Sequence, residues 1–371
     1  MKKSTLRFIC ICVVSYSFIV KGQDVKELKT GNPADHLPSN ITLVSGFGER
    51  PDWSHDGKHI LFVSKPMGEV YELELATGLV SPKTRHFKHY GFTRAMYLVN
   101  GDILLSGPLD PFDEKDPDER NNARDSCWLF VLDKSAQKEP VPLHIICAEG
   151  PAVSRHSMNI AWAERDRQRP ELGKNRAQLF TADIVYENNV PRAINEKMIF
   201  DSRQLPFPVG GASLETQSFV PPGDKEVTFS VYLINGGNNT DTYKVHIETG
   251  EFENLTRSPG FYDEPEGIFP DGKYTCVEHA SSEHSPWPLI DLYKLKLDGS
   301  GEMQRLTWFT EYSGYKASQG VVSDDGKYLC FQLGKSGDEA GVGYGFFIMN
   351  LEEAAPFLEG FKSFADEDCC P

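Results

Sequence analysis

The chain has 371 residues, of which 39% are hydrophobic, and its 54 Asp and Glu residues outnumber its 38 Lys and Arg residues for a formal charge of −16. A chain of this length can bury a core without disulfide bonds. The acidic excess argues against nucleic acid as a partner, because binding to phosphates depends on basic side chains. Anionic membrane surfaces are disfavoured for the same reason, so we expect partners that are neutral, cationic or held through metal ions.

The amino terminus has the layout of a secretory signal peptide. Basic residues from Lys2 to Arg7 precede an apolar run from Phe8 to Val20, after which the sequence turns polar. We expect cleavage near Gly22 and a periplasmic or secreted protein. No other stretch approaches the ~20 apolar residues of a membrane helix, so no transmembrane segment is expected. The expected boundaries are 1–22 for the signal peptide, 23–38 for a linker, 39–353 for one folded domain and 354–371 for a tail.

An internal repeat dominates the rest of the chain. Asp-Gly-Lys recurs at 56–58, 271–273 and 325–327, each time between two extended apolar runs. Asp-Gly supplies the positive φ angles of a tight hairpin turn. Strict alternation of apolar and polar residues follows each copy, as at Tyr71, Leu73 and Leu75, and predicts a strand with one buried face.

Weaker copies near 97–132, 153–186 and 219–248 bring the number of four-stranded units to about six. The poorly patterned segment 188–212 leaves seven possible. These units predict an all-β fold, a single β-propeller. An isolated strand from Asn40 to Leu43 is expected to close the ring by completing the last blade, which removes the open sheet edges.

The segment Pro51-Asp52-Trp53-Ser54-His55-Asp56-Gly57-Lys58 and its copies resemble the repeat of the TolB-like propellers, the PD40 repeat, which is related to WD40 blades. The resemblance covers most of residues 39–352 and implies the propeller fold, but propellers host many unrelated functions. The Gly-x-Ser-x-Gly elbow of peptidase relatives is absent. The chain also resembles oligogalacturonate lyases in export and size. By that second resemblance, His279, His284 and Gln319 are candidates for a metal site.

Long connections between second and third strands are expected to gather on one face, which we call the long-loop face. Long loops in compact domains are often functional, although ordinary loop variation explains them equally. The acidic loop from Asp110 to Asp125 invites a calcium interpretation, but it lacks the ligand spacing of an EF-hand and is expected to be a solvated insertion. The candidate ligand-binding residues on this face and at the channel mouth are Arg50, His89, Glu264, His279, His284, Trp287 and Lys316.

The leading hypothesis is an exported, non-enzymatic and monomeric module that binds a protein or a glycan through the long-loop face. The alternative is a metal-assisted polysaccharide lyase or hydrolase, in which a metal neutralises a uronate and a base removes its proton. The sequence assigns no catalytic residue, cofactor or definite metal ligand. Among the cysteines, Cys127 and Cys147 lie on consecutive predicted strands and are the first pair to test for a disulfide.

Overall fold

The computed structural model describes residues 28–148, 150–206, 214–232, 234, 239–281, 289–339 and 341–353. The predicted signal peptide and tail lie outside these ranges. Within them, 24 strands form six antiparallel sheets of four strands. In the described part of the chain, no helix is long and apolar enough to cross a membrane.

The sheets follow the order of the chain, except that the first strand, β1 (Ile41–Ser45), belongs to the last sheet. Blade 1 contains β2 (Glu49–Trp53), β3 (His59–Val63), β4 (Val70–Glu74) and β5 (Leu79–Pro82). Blade 2 contains β6 (Arg94–Tyr97), β7 (Ile103–Pro108), β8 (Cys127–Leu132) and β9 (Val141–Cys147). Blade 3 contains β10 (Ala152–Val153), β11 (Asn159–Arg165), β12 (Ala177–Glu187) and β13 (Val190–Asp201).

Blade 4 contains β14 (Leu214–Phe219), β15 (Glu226–Val231), β16 (Asp241–His246) and β17 (Phe252–Asn254). Blade 5 contains β18 (Phe261–Ile268), β19 (Tyr274–Ser281), β20 (Asp291–Lys296) and β21 (Met303–Arg305). Blade 6 contains β22 (Tyr315–Val322), β23 (Tyr328–Lys335), β24 (Phe346–Asn350) and β1. Short 3₁₀ turns lie at Pro33–Asp35, Pro170–Leu172, Ser202–Gln204 and Phe309–Glu311, and one helix, α1, spans Pro117–Arg124.

Each blade contacts the next, and blade 6 contacts blade 1 through β22 and β2, so the six sheets close a ring. The first strands of the blades meet around its centre. Connections from first to second strands emerge on one face, here called the turn face. Connections from second to third strands and the crossings between blades emerge on the long-loop face. The prediction of a six-bladed propeller is confirmed.

The Asp-Gly-Lys copies form the predicted turns. Gly57, Gly272 and Gly326 have φ angles of 67°, 67° and 73°, which a residue with a Cβ adopts only with strain. Ring closure also follows the prediction. Strand β1 pairs with β24, with Ile41 opposite Met349 and Thr42 opposite Ile348. The strand that begins the propeller therefore completes its last blade.

Two elements were not predicted. The poorly patterned segment after residue 187 forms β13, whose 12 residues make it the longest strand described. The acidic insertion contains α1, because Asp116 caps the helix by accepting hydrogen bonds from the backbone N–H groups of Asp118 and Glu119, and Pro117 suits the first helical position. The helix was not predicted, but five of its eight residues are exposed, in keeping with the expectation of a solvated insertion.

Apolar side chains fill the space between adjacent blades. Leu179 and Phe200 of blade 3 pack with Leu214 and Phe229 of blade 4 in one fully buried cluster. Trp162 stacks on Phe180, with ring centroids 5.6 Å apart. Burial of each such side chain contributes about 1.5–3 kcal/mol, so these apolar clusters stabilise the contacts between neighbouring blades.

Candidate functional site

Four of the innermost strands carry a β-bulge, at which an extra residue interrupts the pairing with the next strand. The bulges fall at Arg50 in β2, Gln217 in β14, Glu266 in β18 and Gln319 in β22. Arg50 and Gln319 also have positive φ angles, 53° and 55°. A bulge redirects a side chain, and bulges are frequent beside active sites. Here all four redirected side chains are polar.

Four buried glutamates converge in the channel, and we call them the carboxylate cluster: Glu215, Glu264, Glu266 and Glu278. Carboxylate oxygens of Glu264, Glu266 and Glu278 all lie within 4.8 Å of one another. The hydroxyl of Tyr232 donates to Glu215 at 2.8 Å and also contacts Glu264. Carboxylates from two adjacent blades are thereby joined through one tyrosine.

Further donors hold the cluster in place. The Tyr262 hydroxyl and the Gln217 side-chain amide both donate hydrogen bonds to Glu264, and the bond from the amide is 3.2 Å long. Gln319 donates twice, from its backbone N–H to Glu278 at 2.8 Å and from its side chain to Glu266 at 2.8 Å. The glutamate positions are therefore fixed by partners on three blades.

Two cations act on the carboxylate cluster. Arg94 in β6 donates to Glu215 at 3.4 Å and to the side-chain oxygen of Gln319 at 2.8 Å, and its guanidinium lies 3.8 Å from Glu266. Lys316 in β22 is buried, and its charge favours ionised Glu278. Two cations beside four carboxylates leave an excess of negative charge whenever all four are ionised.

Burial, together with this excess of negative charge, raises the pKa values of Glu264, Glu266 and Glu278. Burial raises the pKa of Glu264 to about 8, helped by the charges of Glu215 and Glu278. Burial and the charge of Glu278 raise the pKa of Glu266 well above its usual range. Burial also raises the pKa of Glu278, against the charge of Lys316. The cluster therefore holds protons near neutral pH. An incoming cation would displace these protons, and an incoming hydroxyl group could form hydrogen bonds with the carboxyl groups.

A cavity of about 190 Å³ extends from the cluster toward the turn face. Charged and amide groups line one part of it, including Arg50, Arg94, Gln217 and Glu266. Prolines and aliphatic side chains line the rest. Because one water needs about 10–15 Å³ of such space, the cavity has room for a small polar molecule.

An arginine crosses the turn-face end of this cavity. Arg155, in the first turn of blade 3, reaches Asp324, in the first turn of blade 6 on the opposite side of the ring, with contacts of 2.5 and 2.7 Å. It also donates to the Trp53 carbonyl at 3.0 Å and lies 3.4 Å from Asp52. His55 contacts Asp324 at 2.7 Å. We call these groups, Arg155, Asp324, Asp52 and His55, the clasp.

The two carboxylates of the clasp differ in their pKa shifts. Burial alone would raise the pKa of Asp324, but the hydrogen bond from His55 and the charge of Arg155 hold it below its usual value. Burial raises the pKa of Asp52, although Arg155 and a hydrogen bond from the Tyr97 N–H oppose the rise. The partners of Asp324 thus lower its pKa, whereas the pKa values of Glu264, Glu266 and Glu278 are all raised.

Helix α1 lies over Glu49 and Arg50 on the long-loop side of the channel. Arg120 of α1 pairs with Glu339 in the loop of blade 6, and the Gly343 N–H donates to Glu49 at 3.1 Å. Burial raises the pKa of Glu49 to about 7, despite the charge of Arg50. Loops from blades 2 and 6 therefore cover this side of the innermost strands.

The structure places three of the seven predicted ligand-binding residues in the channel. Glu264 belongs to the carboxylate cluster, Lys316 lies beside Glu278, and Arg50 lines the cavity. All three are buried.

Two other predicted residues make contacts outside the channel. His89 lies 3.3 Å from Glu69 and packs on Phe92. His279 contacts the buried carboxylate of Asp263 at 2.5 Å, and its ring stacks on Phe261. His284 and Trp287 lie outside the described residues, as does most of the connection between β19 and β20.

Sequence reasoning missed Arg94, Glu215, Glu266 and Glu278, as well as the clasp residues Arg155 and Asp324. Asp324 belongs to the third repeat copy, which was interpreted only as a turn, and the others are single residues outside the repeat motif. One signal was available: Glu264-Pro265-Glu266-Gly267 places two carboxylates in a strand that must line the channel, and its glycine suits a bulge.

Comparisons with known proteins identify the architecture. No protein-family model and no curated protein matches the chain. A calcium-binding regucalcin from Agrobacterium tumefaciens is similar in structure, with a TM-score of 0.52 and 14% identity over 83% of this chain and 92% of that one. Both chains share the propeller fold, and at this identity the likeness shows the fold alone.

Two further neighbours belong to the groups that the sequence resembles. An oligogalacturonate lyase in complex with manganese has a TM-score of 0.49 and 14% identity, covering 86% of this chain and 78% of that one. TolB from Acinetobacter baumannii has a TM-score of 0.42 and 15% identity, covering 82% and 66%. These similarities are too low to support an argument about function.

Proposed function

We propose that this chain is a binding module whose propeller channel holds a small polar ligand, in the first place a glycan unit, at the carboxylate cluster. The supporting observation is that Arg50, Arg94, Gln217 and Glu266, from four different blades, line one cavity, and that Glu266 joins this cavity to the carboxylate cluster. Polar and ionisable groups buried at this density cost stability, and proteins retain such a cost mainly at functional sites.

A glycan suits this chemistry because every sugar hydroxyl both donates and accepts a hydrogen bond. Of the groups that line the cavity, Arg94 and Gln217 supply donors, and Glu266 supplies an acceptor or, where protonated, a donor. The partners of these groups are fixed within the protein, so little side-chain entropy is lost when a ligand is bound. The aliphatic wall of the cavity can pack against the apolar face of a sugar ring.

The wider expectations from the sequence are part of this proposal. We propose that the protein is exported after cleavage near Gly22, that it belongs with the PD40-repeat propellers, and that it acts as a monomer. A larger glycan or protein would be held by the long-loop face around the channel. Amino-terminal sequencing of the protein recovered from the periplasm or the medium tests the export and its cleavage site.

A saccharide panel tests the binding proposal. Thermal shifts would be measured with glucose, glucosamine, glucuronic acid and oligogalacturonate, for the native chain and for Glu266→Gln. Glu248→Gln is a matched control, because Glu248 is exposed in a hairpin of blade 4. We expect at least one saccharide to stabilise the native and control proteins but not Glu266→Gln. Equal stabilisation of all three proteins would place the binding site outside the cluster.

A second candidate is metal-assisted cleavage of an acidic polysaccharide. The three carboxylates within 4.8 Å of one another favour it, together with the Gln319 amide, because hard divalent cations prefer oxygen ligands. A metal here could neutralise a uronate while a neighbouring carboxylate removes a proton. His279 does not join this group of carboxylates, since its ring is directed to Asp263.

Calorimetric titration with Ca²⁺ and Mn²⁺ distinguishes the two candidates. A metal site predicts binding that strengthens as pH rises, because the cation must displace protons from the cluster. Addition of polygalacturonate to the metal-loaded protein would then raise the ultraviolet absorbance as unsaturated products form. Absence of metal binding at pH 8, with no absorbance change, would eliminate the lyase.

A further inference from the structure

Two buried cysteines lie opposite each other on adjacent strands of blade 2. Cys127 in β8 is the direct partner of Cys147 in β9, and both side chains are fully buried. Residues directly opposite each other in an antiparallel pair have Cα atoms about 4.5 or 5.5 Å apart. Both separations fall within the roughly 4.4–6.8 Å that a disulfide spans. The register therefore brings the two thiols within bonding range with little movement of the backbone.

The other two described cysteines have no such partner. Cys276 is opposite Lys294 in its sheet, and Cys330 is opposite Ile348. They lie in different blades. These residues show that burial of a cysteine in this propeller does not by itself produce a pair, and they supply an internal control.

The thiol of Cys127 also contacts the end of helix α1. Its Sγ lies 3.5 Å from the Ala123 carbonyl oxygen and 3.3 Å from that of Arg124. The Ala123 carbonyl also accepts a hydrogen bond from the Ser126 N–H at 3.2 Å, so the S–H group adds a weak contact to the carboxyl end of α1. A disulfide has no S–H group. Oxidation would therefore remove this contact between β8 and the helix that covers Glu49 and Arg50.

We propose that Cys127 and Cys147 form a dithiol–disulfide couple, and that oxidation of the couple releases the carboxyl end of α1 from β8. The oxidant is another disulfide, either a small molecule or a protein. One cysteine thiolate attacks it to give a mixed disulfide and a released thiol, and the second cysteine then displaces the remaining half. One S–S bond forms and one breaks, the oxidant is reduced to two thiols, and the protons of the two cysteines pass to them.

Burial determines when this exchange can occur. Full burial raises the pKa of the Cys147 thiol and separates both sulfurs from any oxidant. The bond should form while β8 and β9 pair during folding, and only slowly in the native ring. In an oxidising compartment, the protein would thus acquire the disulfide before blade 2 closes.

Refolding of the full chain tests the couple. The reduced protein would be refolded from urea in a glutathione redox buffer, alkylated and digested with trypsin. Arg124, Lys134, Lys138 and Arg155 place the two cysteines in separate tryptic peptides, so a bridge joins two identifiable fragments. We expect the Cys127–Cys147 bridge in the native sequence and in Cys330→Ser. Recovery of both cysteines in alkylated form, or bridged to other cysteines, would overturn the proposal.

Limited digestion of the folded protein tests the link to the helix. Reduced and oxidised samples would be exposed briefly to trypsin, and cleavage after Arg120 and Arg124 would be compared with cleavage after the exposed Arg192 of blade 3. We expect cleavage in α1 to be several-fold faster in the oxidised sample, with Arg192 unchanged. Equal rates in α1 would overturn the proposed release of the helix.

Discussion

The channel has two polar regions whose carboxyl groups differ in pKa: that of Asp324 in the clasp is lowered, and those of Glu264, Glu266 and Glu278 in the cluster are raised. At the turn face, Arg155 reaches across the ring to Asp324. Asp52 contacts Arg155, and His55 contacts Asp324. Deeper in the channel, the carboxylate cluster places four buried glutamates around Arg94 and Lys316. The clasp resembles a structural ion-pair network. The cluster contains buried carboxyl groups with raised pKa values, which lower the stability of the fold. Such groups are typical of binding sites and active sites.

The largest expected effect is a pH dependence of the free energy of unfolding that comes from the carboxylate cluster. Glu264 has a folded pKa of about 8 against an ordinary value of 4.5. A raised carboxyl pKa means that the native state keeps a proton that the unfolded state releases, so stability falls as pH rises from about 4.5 to about 8. Glu264→Gln removes this loss. We expect the variant to gain on the order of 3 kcal/mol over the native protein between pH 5 and pH 8, by urea unfolding.

Glu248→Gln is the control for that experiment, since Glu248 is exposed on a hairpin turn. Its stability should follow the native protein at every pH. If Glu264→Gln showed the same pH profile as the native protein, the cluster would not be the store of protons that the geometry indicates.

An intermediate effect is expected at the clasp. Arg155→Ala removes the cation that joins blades 3 and 6 and leaves the buried carboxylate of Asp52 with less compensation. The free energy of unfolding at pH 7 should fall by about 1–3 kcal/mol. Arg192→Ala, at an exposed pair with Glu187, should change it by less than about 0.5 kcal/mol. Equal losses in both variants would show that the clasp is an ordinary surface pair.

The smallest expected effect concerns salt. Arg155 and Asp324 are partly exposed, so their attraction is screened, whereas the buried cluster is shielded from ions. Raising NaCl from 0.1 to 1 M should cost the native protein up to about 1 kcal/mol more than Arg155→Ala. Unfolding midpoints in urea measure the difference. A salt response that is identical in the two proteins would contradict the assignment of the clasp as a screened ion pair.

Much of the fold was predictable because propeller blades repeat local signals. Asp-Gly-Lys dictates hairpins through the positive φ of its glycine, and the Asn40 to Leu43 strand had no partner except the last blade. Strand β13 was missed because residues 195–198 are all exposed, which removes the alternation that marks a half-buried strand. The described turns and sheets show that blade number follows from the repeat, while strand length does not.

The candidate site was predictable only in part. Glu264 and Lys316 were found because charged residues near the start of an inner strand must lie at the channel. Arg94 and Glu278 were missed because their role depends on which blades face each other, and no local pattern carries that information. His279 was chosen for its chemistry, but its partner Asp263 lies on the neighbouring strand and directs the ring away from the cluster.

The most direct test of the account is the saccharide titration at the carboxylate cluster. Calorimetry at pH 7 would compare the native protein, Glu266→Gln and Glu248→Gln with each saccharide of the panel. The account predicts that a saccharide binds the native and Glu248→Gln proteins with the same affinity, and that Glu266→Gln binds it at least tenfold more weakly, a loss of about 1.4 kcal/mol. Undiminished binding by Glu266→Gln, or no binding by the native protein, would contradict it.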